Sequence, residues 1–156
     1  MGVLKRLTEE YFGETERKED MIKLPAGVVR VDFTDRNGKR HKNGYRVVDG
    51  SGGTLMKLIK KLVDKRGLEC DLNDVDVSNV TDMNNMFFNS AFNGDISGWD
   101  VSGVIGMYCM FFKSAFTGEN GDISGWEPLS LKSMFGIFND SPLENNPPEW
   151  YRKRMR

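Results

Sequence analysis

The chain has one histidine, two cysteines and five prolines in 156 residues, and each scarcity removes a class of chemistry. His41 stands alone, and Cys70 and Cys109 lie 39 positions apart with no Cys-x-x-Cys spacing, so a structural zinc site cannot be assembled. The same spacing predicts free thiols in a reducing compartment rather than a disulfide framework. No apolar run approaches the ~18 residues of a membrane span. The start, Met1-Gly2-Val3-Leu4-Lys5-Arg6, lacks the apolar core of a secretory signal, which predicts a cytoplasmic location. General acid–base work needs positioned titratable groups. With a single His in a polar stretch and no recognisable Ser-His-Asp or Cys-His arrangement, neither enzymatic activity nor a cofactor is expected. Gly50-Ser51-Gly52-Gly53 also lacks the Gly-Lys-Ser/Thr ending of a phosphate-binding loop, and reads instead as a flexible joint.

Positive charge is scarce in one region. Residues 71–151 hold 2 Lys/Arg, Lys113 and Lys132, against 12 Asp/Glu, a net of −10. Residues 1–70 hold 16 against 11, a net of +5, and Arg152 to Arg156 add +4. An acidic body therefore lies between basic ends, and such asymmetry makes a long-range field that selects partners.

What is abundant is repetition. Asp95-Ile96-Ser97-Gly98-Trp99 recurs as Asp122-Ile123-Ser124-Gly125-Trp126. Met83-x-x-Met86-Phe87-Phe88-x-Ser90-Ala91-Phe92 recurs as Met107-x-x-Met110-Phe111-Phe112-x-Ser114-Ala115-Phe116. Asp71 aligns with Asp95 after 24 residues and with Asp122 after a further 27, the extra three falling in the Gly118–Gly121 turn, where an insertion costs little. A degenerate fourth copy ends at Trp150. A fixed period predicts a stacked array in which each unit buries its apolar face against its neighbours.

Stacking predicts columns. Leu72, Ile96 and Ile123 form one; Val75, Trp99, Trp126 and Trp150 form another; Phe92, Phe116 and Leu143 form a third. Each buried aromatic contributes roughly 2–3 kcal/mol. The Met/Phe sets, with Met134, Ile137 and Phe138 as the third, fit one or two inward-facing helical turns, and the Ile-x-x-Trp segments read as extended. The aspartates also align, Asp71 with Asp95 and Asp122, and Asp76 with Asp100 and Glu127. A calcium ladder is one reading of them; acceptance of backbone N–H bonds at turns is preferred.

Upstream, Val3, Leu4, Leu7 and Tyr11 have the spacing of a short helix, followed by a polar run over 13–20. Val28 to Phe33 alternates as a strand, Asn37-Gly38 signals a hairpin turn, and a return strand covers about Arg40 to Val48, with Tyr45 and Val47 inward and Gly44 at a bulge. An amphipathic helix over Thr54–Arg66, capped by Thr54 or Gly53 and stopped by Gly67, carries the stripe Leu55, Leu58, Ile59, Leu62 and Val63 and shields the first repeat. The expected fold is α+β: an N-terminal helix and basic hairpin (1–53), a capping helix (54–69), a short solenoid of about three repeats (70–151) with Trp150 and Tyr151 folded over its last layer, and a free basic tail (152–156).

The pattern Trp-Asp-Val-Ser-x-Val-x-x-Met-x-x-Met-Phe from Trp99 to Phe111, nearly repeated from Val75 to Phe87, resembles the BspA-like leucine-rich-repeat family, as does Phe92 to Trp99. The resemblance covers about residues 70–151. It implies a curved solenoid of short strands and helical turns and a binding role without catalytic residues. Members include bacterial surface adhesins and proteins of protists, phages and other mobile elements. The few repeats and the missing signal make an intracellular accessory, adaptor or inhibitor protein, phage-encoded by analogy, the leading expectation ahead of surface adhesion. Asn93, Lys113, Glu119, Asn120 and Lys132 are the expected protein contacts, with the partner's identity open. A nucleic-acid role is the alternative. It takes the form either of DNA mimicry by the acidic repeats or of direct contact through Lys39, Arg40, Lys42 and Arg46 of the hairpin and Arg152, Lys153 and Arg154 of the tail.

Overall fold

The computed structural model describes residues 22–156, so the helix expected over 3–12 and the polar run over 13–20 lie outside the described residues. The fold is mixed α and β, with a small three-stranded sheet and, among the described residues, two helices.

The hairpin forms as its alternation dictates. Strands β1 (Val28–Thr34) and β2 (Arg40–Val47) pair antiparallel, with Tyr45 and Val47 buried. The register slips between Val31 and Phe33, which face Gly44 and His41, so the extra residue lies at 42–43, beside Gly44 rather than on it. Asn43 takes a left-handed φ of 52° there. Gly44 is needed for closeness instead: a Cβ would stand 2.7 Å from the Asp74 carbonyl oxygen. At the turn Gly38 adopts φ 85°, whereas Asn37 is not left-handed; the Asp35 carboxylate holds it by accepting from the N–H groups of Asn37 and Lys39.

Helix α1 (Gly52–Arg66) buries Leu55, Leu58, Ile59 and Leu62, as its stripe predicts. Its cap is neither Thr54 nor Gly53 but Ser51, whose hydroxyl accepts from the Thr54 N–H at 3.3 Å. The preceding residues are not an open joint. The Asp49 carboxylate accepts from Ser51 N–H and the Thr54 hydroxyl, and Gly52 lies so close to Asp82 that a Cβ would overlap that residue's carbonyl oxygen. Gly67 closes the far end, donating its N–H to Val63 at 2.8 Å. Arg66 then reaches the first repeat, donating to both carboxylate oxygens of Asp74 and to the Asp71 carbonyl.

The third strand, β3 (Val75–Asp76), pairs parallel with β2, so hairpin and first repeat share one sheet. Beyond it the repeats join one another without long strands. The N–H groups of Met83, Asn85, Phe87 and Asn89 donate to the carbonyls of Gly106, Tyr108, Met110 and Phe112, each at 2.8 Å. Those of Met107, Cys109, Phe111 and Lys113 donate in the same register to Ser133, Phe135, Ile137 and Asn139 at 2.8–3.1 Å.

The intervening N–H groups close turns on their own repeat: Met86 onto Met83, Phe88 onto Asn85 and Ser90 onto Phe87. These segments are therefore serial β-turns and not the helical turns that the Met-x-x-Met-Phe spacing suggests. Left-handed residues every four positions, Asn85 and Asn89, Cys109 and Lys113, Gly136 and Asp140, interrupt any helix. The Ile-x-x-Trp segments are likewise turns, Trp99 N–H closing on the Ile96 carbonyl; the extended element beside them is a single parallel bridge between Asp71 and Asp95.

The expected columns are present. Leu72, Ile96 and Ile123 are buried, as are Val75, Trp99, Trp126, Phe92 and Phe116. Phe87, Phe111 and Phe138 stack at 5.4 and 5.6 Å between centroids. Each indole is tied to the preceding repeat: Trp99 donates to the Leu72 carbonyl, Trp126 to Ile96 and Trp150 to Ile123, at 2.9, 3.2 and 3.0 Å. Trp150 opens helix α2 (Glu149–Arg154), whose Trp150 and Tyr151 rings pack on Phe138. Residues 152–154 thus belong to a helix and are not a free tail.

Candidate interaction surface

In each serial-turn segment the first, fourth and fifth positions point inward, as with Met83, Met86 and Phe87, while the second and sixth point outward. The outward positions make two columns. One holds Asn84, Tyr108 and Phe135; the other holds Phe88, Phe112 and Asn139. Phe88 stacks on Phe112 at 5.4 Å with the rings 10° from parallel, and Tyr108 stacks on Phe135 at 5.9 Å. Four aromatic rings therefore lie on one face, with Phe88 48%, Tyr108 43% and Phe135 71% exposed. Grouped exposed rings mark a surface that another molecule covers, since single scattered apolar residues are the norm elsewhere. Asn84 heads one column, its side-chain oxygen accepting the Tyr108 N–H at 2.7 Å. The Tyr108 hydroxyl titrates above the ordinary tyrosine range, first because of its hydrogen bond with the Cys109 side chain.

The two lysines of the acidic region border this face. Lys113 holds its ammonium 5.5 Å from the Phe112 ring centre, a cation–π contact, and Lys132 is exposed three residues before Phe135. Both were expected contacts. The other three expected contacts lie apart from the rings and are engaged internally. Asn93 accepts from the Thr117 N–H and hydroxyl through its side chain, and its carbonyl accepts from Asn120 Nδ2 at 2.6 Å. Glu119 is exposed, its N–H donating to the Thr117 hydroxyl. Asn93 and Asn120 therefore close the junction between the first and second repeats, with Glu119 beside them.

The basic residues do not form one free patch. Arg46 donates to the Asp76 carboxylate at 2.6 Å, Arg40 stands 3.6 Å from Asp32, Arg152 is 3.3 Å from Glu149 and Arg154 donates to the Pro128 carbonyl at 2.6 Å. Lys39, Lys42 and Lys153 are exposed.

The aspartate columns do turn work. Asp71, Asp76, Asp82, Asp95, Asp100 and Asp122 each accept the backbone N–H two residues ahead. Burial opposes the charge of Asp76, but hydrogen bonds from Ser78 and Arg46 prevail and hold its pKa below the ordinary value. Burial likewise opposes the charge of Asp95, and hydrogen bonds from Asn73 and Ser97 prevail. Among the described residues no group of three or more His, Cys, Asp and Glu is gathered to hold a metal ion, and no helix is long and apolar enough to cross a membrane.

The surface rings are what sequence reasoning missed, because it assigned the whole Met/Phe stripe to the core. The signal was present in Phe87-Phe88 and Phe111-Phe112: two adjacent bulky rings in a one-sided repeat cannot both face inward.

No curated protein and no solved structure matches the chain. A family model described as Mycoplasma protein of unknown function, DUF285, matches residues 56–154, more than half of the chain, and the chain belongs to that family.

Proposed function

We propose that this member of the DUF285 family is a non-enzymatic protein-interaction module, acting in the cytoplasm as a small accessory, adaptor or inhibitor protein. In this reading its repeats are a short solenoid of the BspA-like kind, and a phage or mobile-element origin follows by analogy with that family. The observation that carries the reading is the aromatic face made by the exposed Phe88, Tyr108 and Phe135 and the half-buried Phe112, bordered by Lys113 and Lys132. Rings and flanking cations on an ordered scaffold are the composition of binding hot spots. The inter-repeat ladder supports the solenoid reading, because each repeat bonds only to its neighbours along the array.

Direct nucleic-acid contact draws less support, since Arg46, Arg152 and Arg154 are already engaged within the chain. Steep salt dependence in a probe shift would mark it.

The test is capture from nuclease-treated bacterial lysate by the tagged chain, in parallel with a Phe112→Ser/Phe135→Ser double variant. The expected result is a protein enriched by the native chain and lost with the variant at unchanged thermal stability. Equal capture by both chains, or capture abolished by nuclease alone, overturns the reading.

A further inference from the structure

The three-stranded sheet ends on an open edge. Its order is β1–β2–β3, so β1 has β2 on one side and, among the described residues, no strand on the other. The pairing with β2 fixes which backbone groups face out. Gly27 accepts the Val48 N–H, and Asp35 donates its N–H to the Lys39 carbonyl. The odd-numbered residues between them therefore turn their backbone groups toward β2, because bonded and unbonded pairs alternate in an antiparallel ladder. The extra residue of the irregularity lies on β2 and leaves the alternation of β1 intact. Arg30, Asp32 and Thr34 thus direct their N–H and C=O groups away from the sheet. Tyr45, the cross-strand partner of Arg30, accordingly gives its own N–H to the Asp74 carbonyl on the far side. An unpaired row with both donors and acceptors is a template for another strand.

The order of side chains along this edge decides what fits. Val29, Asp32 and Thr34 are exposed, and Arg30, Val31 and Phe33 are half-buried. Charges on an edge strand ordinarily discourage pairing. Here they have opposite signs and flank Val31 on either side. Consider β1 beside an antiparallel copy of itself, with Val31 on the two-fold axis. Arg30 then faces Asp32 of the other copy, Val29 faces Phe33, and Val31 faces Val31. The same register lets Arg30 and the opposite Asp32 exchange both of their outward backbone bonds, twice across the axis. Moving the axis to Arg30 or to Asp32 sets like charges directly opposite, which destabilises a pair. The run Val-Arg-Val-Asp-Phe is thus its own complement in one register, a property that a site for a foreign strand does not need.

We propose that β1 pairs antiparallel with β1 of a second copy of this chain, joining three strands from each copy into one sheet across an isologous two-fold seam. Within its own chain Arg30 donates through Nε to Asn43 Oδ1 at 3.3 Å, and Asp32 stands 3.6 Å from Arg40, an exposed pair of small worth. The seam adds a partner to each. It uses none of the residues of the aromatic face, so the dimer carries that face twice. A partner with two docking segments would be held by both.

The test is the mass of the full chain by sedimentation equilibrium from about 1 µM to about 1 mM, with amide exchange of the 15N-labelled chain read at both ends of that range. The expected mass rises from one chain toward two. Over the same range the Arg30 and Asp32 amides slow at least about tenfold, while those of Val29 and Val31, already turned to β2, do not change. Arg30→Asp and Asp32→Arg each set like charges opposite at both contacts of the seam and weaken the dimer about tenfold. The double variant Arg30→Asp/Asp32→Arg restores dissociation to within about threefold of the native chain. A single-chain mass up to about 1 mM, the limit of a weak specific contact, overturns the proposal. So does a dimer whose Arg30 and Asp32 amides keep their exchange rates, or one that the double reversal fails to restore at unchanged thermal stability. Where a reversal lowers thermal stability, Val29→Lys decides, because that side chain is exposed in the single chain and meets Phe33 across the seam. A dimer that Val29→Lys leaves as tight as the native one overturns edge pairing.

Discussion

Substitution of Gly94 by alanine tests the close contact between repeats most directly. Gly94 precedes Asp95 in the Gly-Asp-Ile-Ser-Gly-Trp motif, and an added Cβ would stand 1.9 Å from the Cys70 carbonyl oxygen and 2.7 Å from the Phe92 ring. Neither neighbour can yield easily. Phe92 is 1% exposed and stacked on Phe87, and the Cys70 carbonyl accepts the Asp95 N–H at 3.0 Å. Relief requires the two repeats to part. Overpacking in a tight site costs about 1–3 kcal/mol, and loss of the inter-repeat hydrogen bond adds about 1 kcal/mol. Gly94→Ala is therefore expected to destabilise by about 2–4 kcal/mol. Gly103→Ala is the matched control, since its Cβ would meet only the Ser78 carbonyl at 3.5 Å, an ordinary contact. It is expected to be neutral or to stabilise by about 0.4–1 kcal/mol through the unfolded chain. Urea unfolding of the two variants and the native chain, with slopes compared as well as midpoints, gives the measurement. If Gly94→Ala unfolds at the midpoint of Gly103→Ala with an unchanged slope, the close-contact argument is wrong.

Two further predictions concern the columns. Trp126→Phe keeps a ring beside Phe111 but removes the donor to the Ile96 carbonyl, and is expected to cost about 1–3 kcal/mol in chemical denaturation; a loss within error of zero would show that the indole bond is dispensable. The depressed pKa values of Asp76 and Asp95 mean that the unfolded chain takes up these protons first on acidification. Their contribution is thus present above the unfolded aspartate value of about 3.9 and lost as pH falls through the lower folded values. Urea midpoints at pH 7, 4 and 3 should fall, and should fall less in Asp95→Asn, which can still close its turn; a midpoint that rises toward pH 3 contradicts this.

Much of the array was legible because its period is written in large residues. The 24- and 27-residue spacings placed Trp99, Trp126 and Trp150 in one column, and all three indoles make the same bond to the preceding repeat. The local conformation was not legible. Met83, Met86 and Phe87 have helical spacing, and only the asparagines at 85 and 89 hint at left-handed backbone; the equivalent Cys109 and Lys113 carry no such hint and are held there by the ladder. The candidate site fared similarly. Polarity pointed to Asn93 and Asn120, but those two satisfy each other across 27 residues of sequence, a pairing visible only after folding. Lys113 and Lys132 were found because they lie at expected turns, whereas the rings beside them passed for core.

The hairpin is also a ruler. Its β2 strand pairs with the first repeat at Val75 and Asp76, its Arg36 N–H bonds the Gly98 carbonyl of the second, and the Arg36 guanidinium bonds the Gly125 carbonyl of the third. A nearest-neighbour array unravels from its ends, each unit answering only to the next. Here one rigid rod is fastened across three units at once, so fraying of any one strains its attachment to the others. The repeats should consequently unfold as a single transition. The span of the hairpin, rather than any property of the repeats, sets how many of them can share in it.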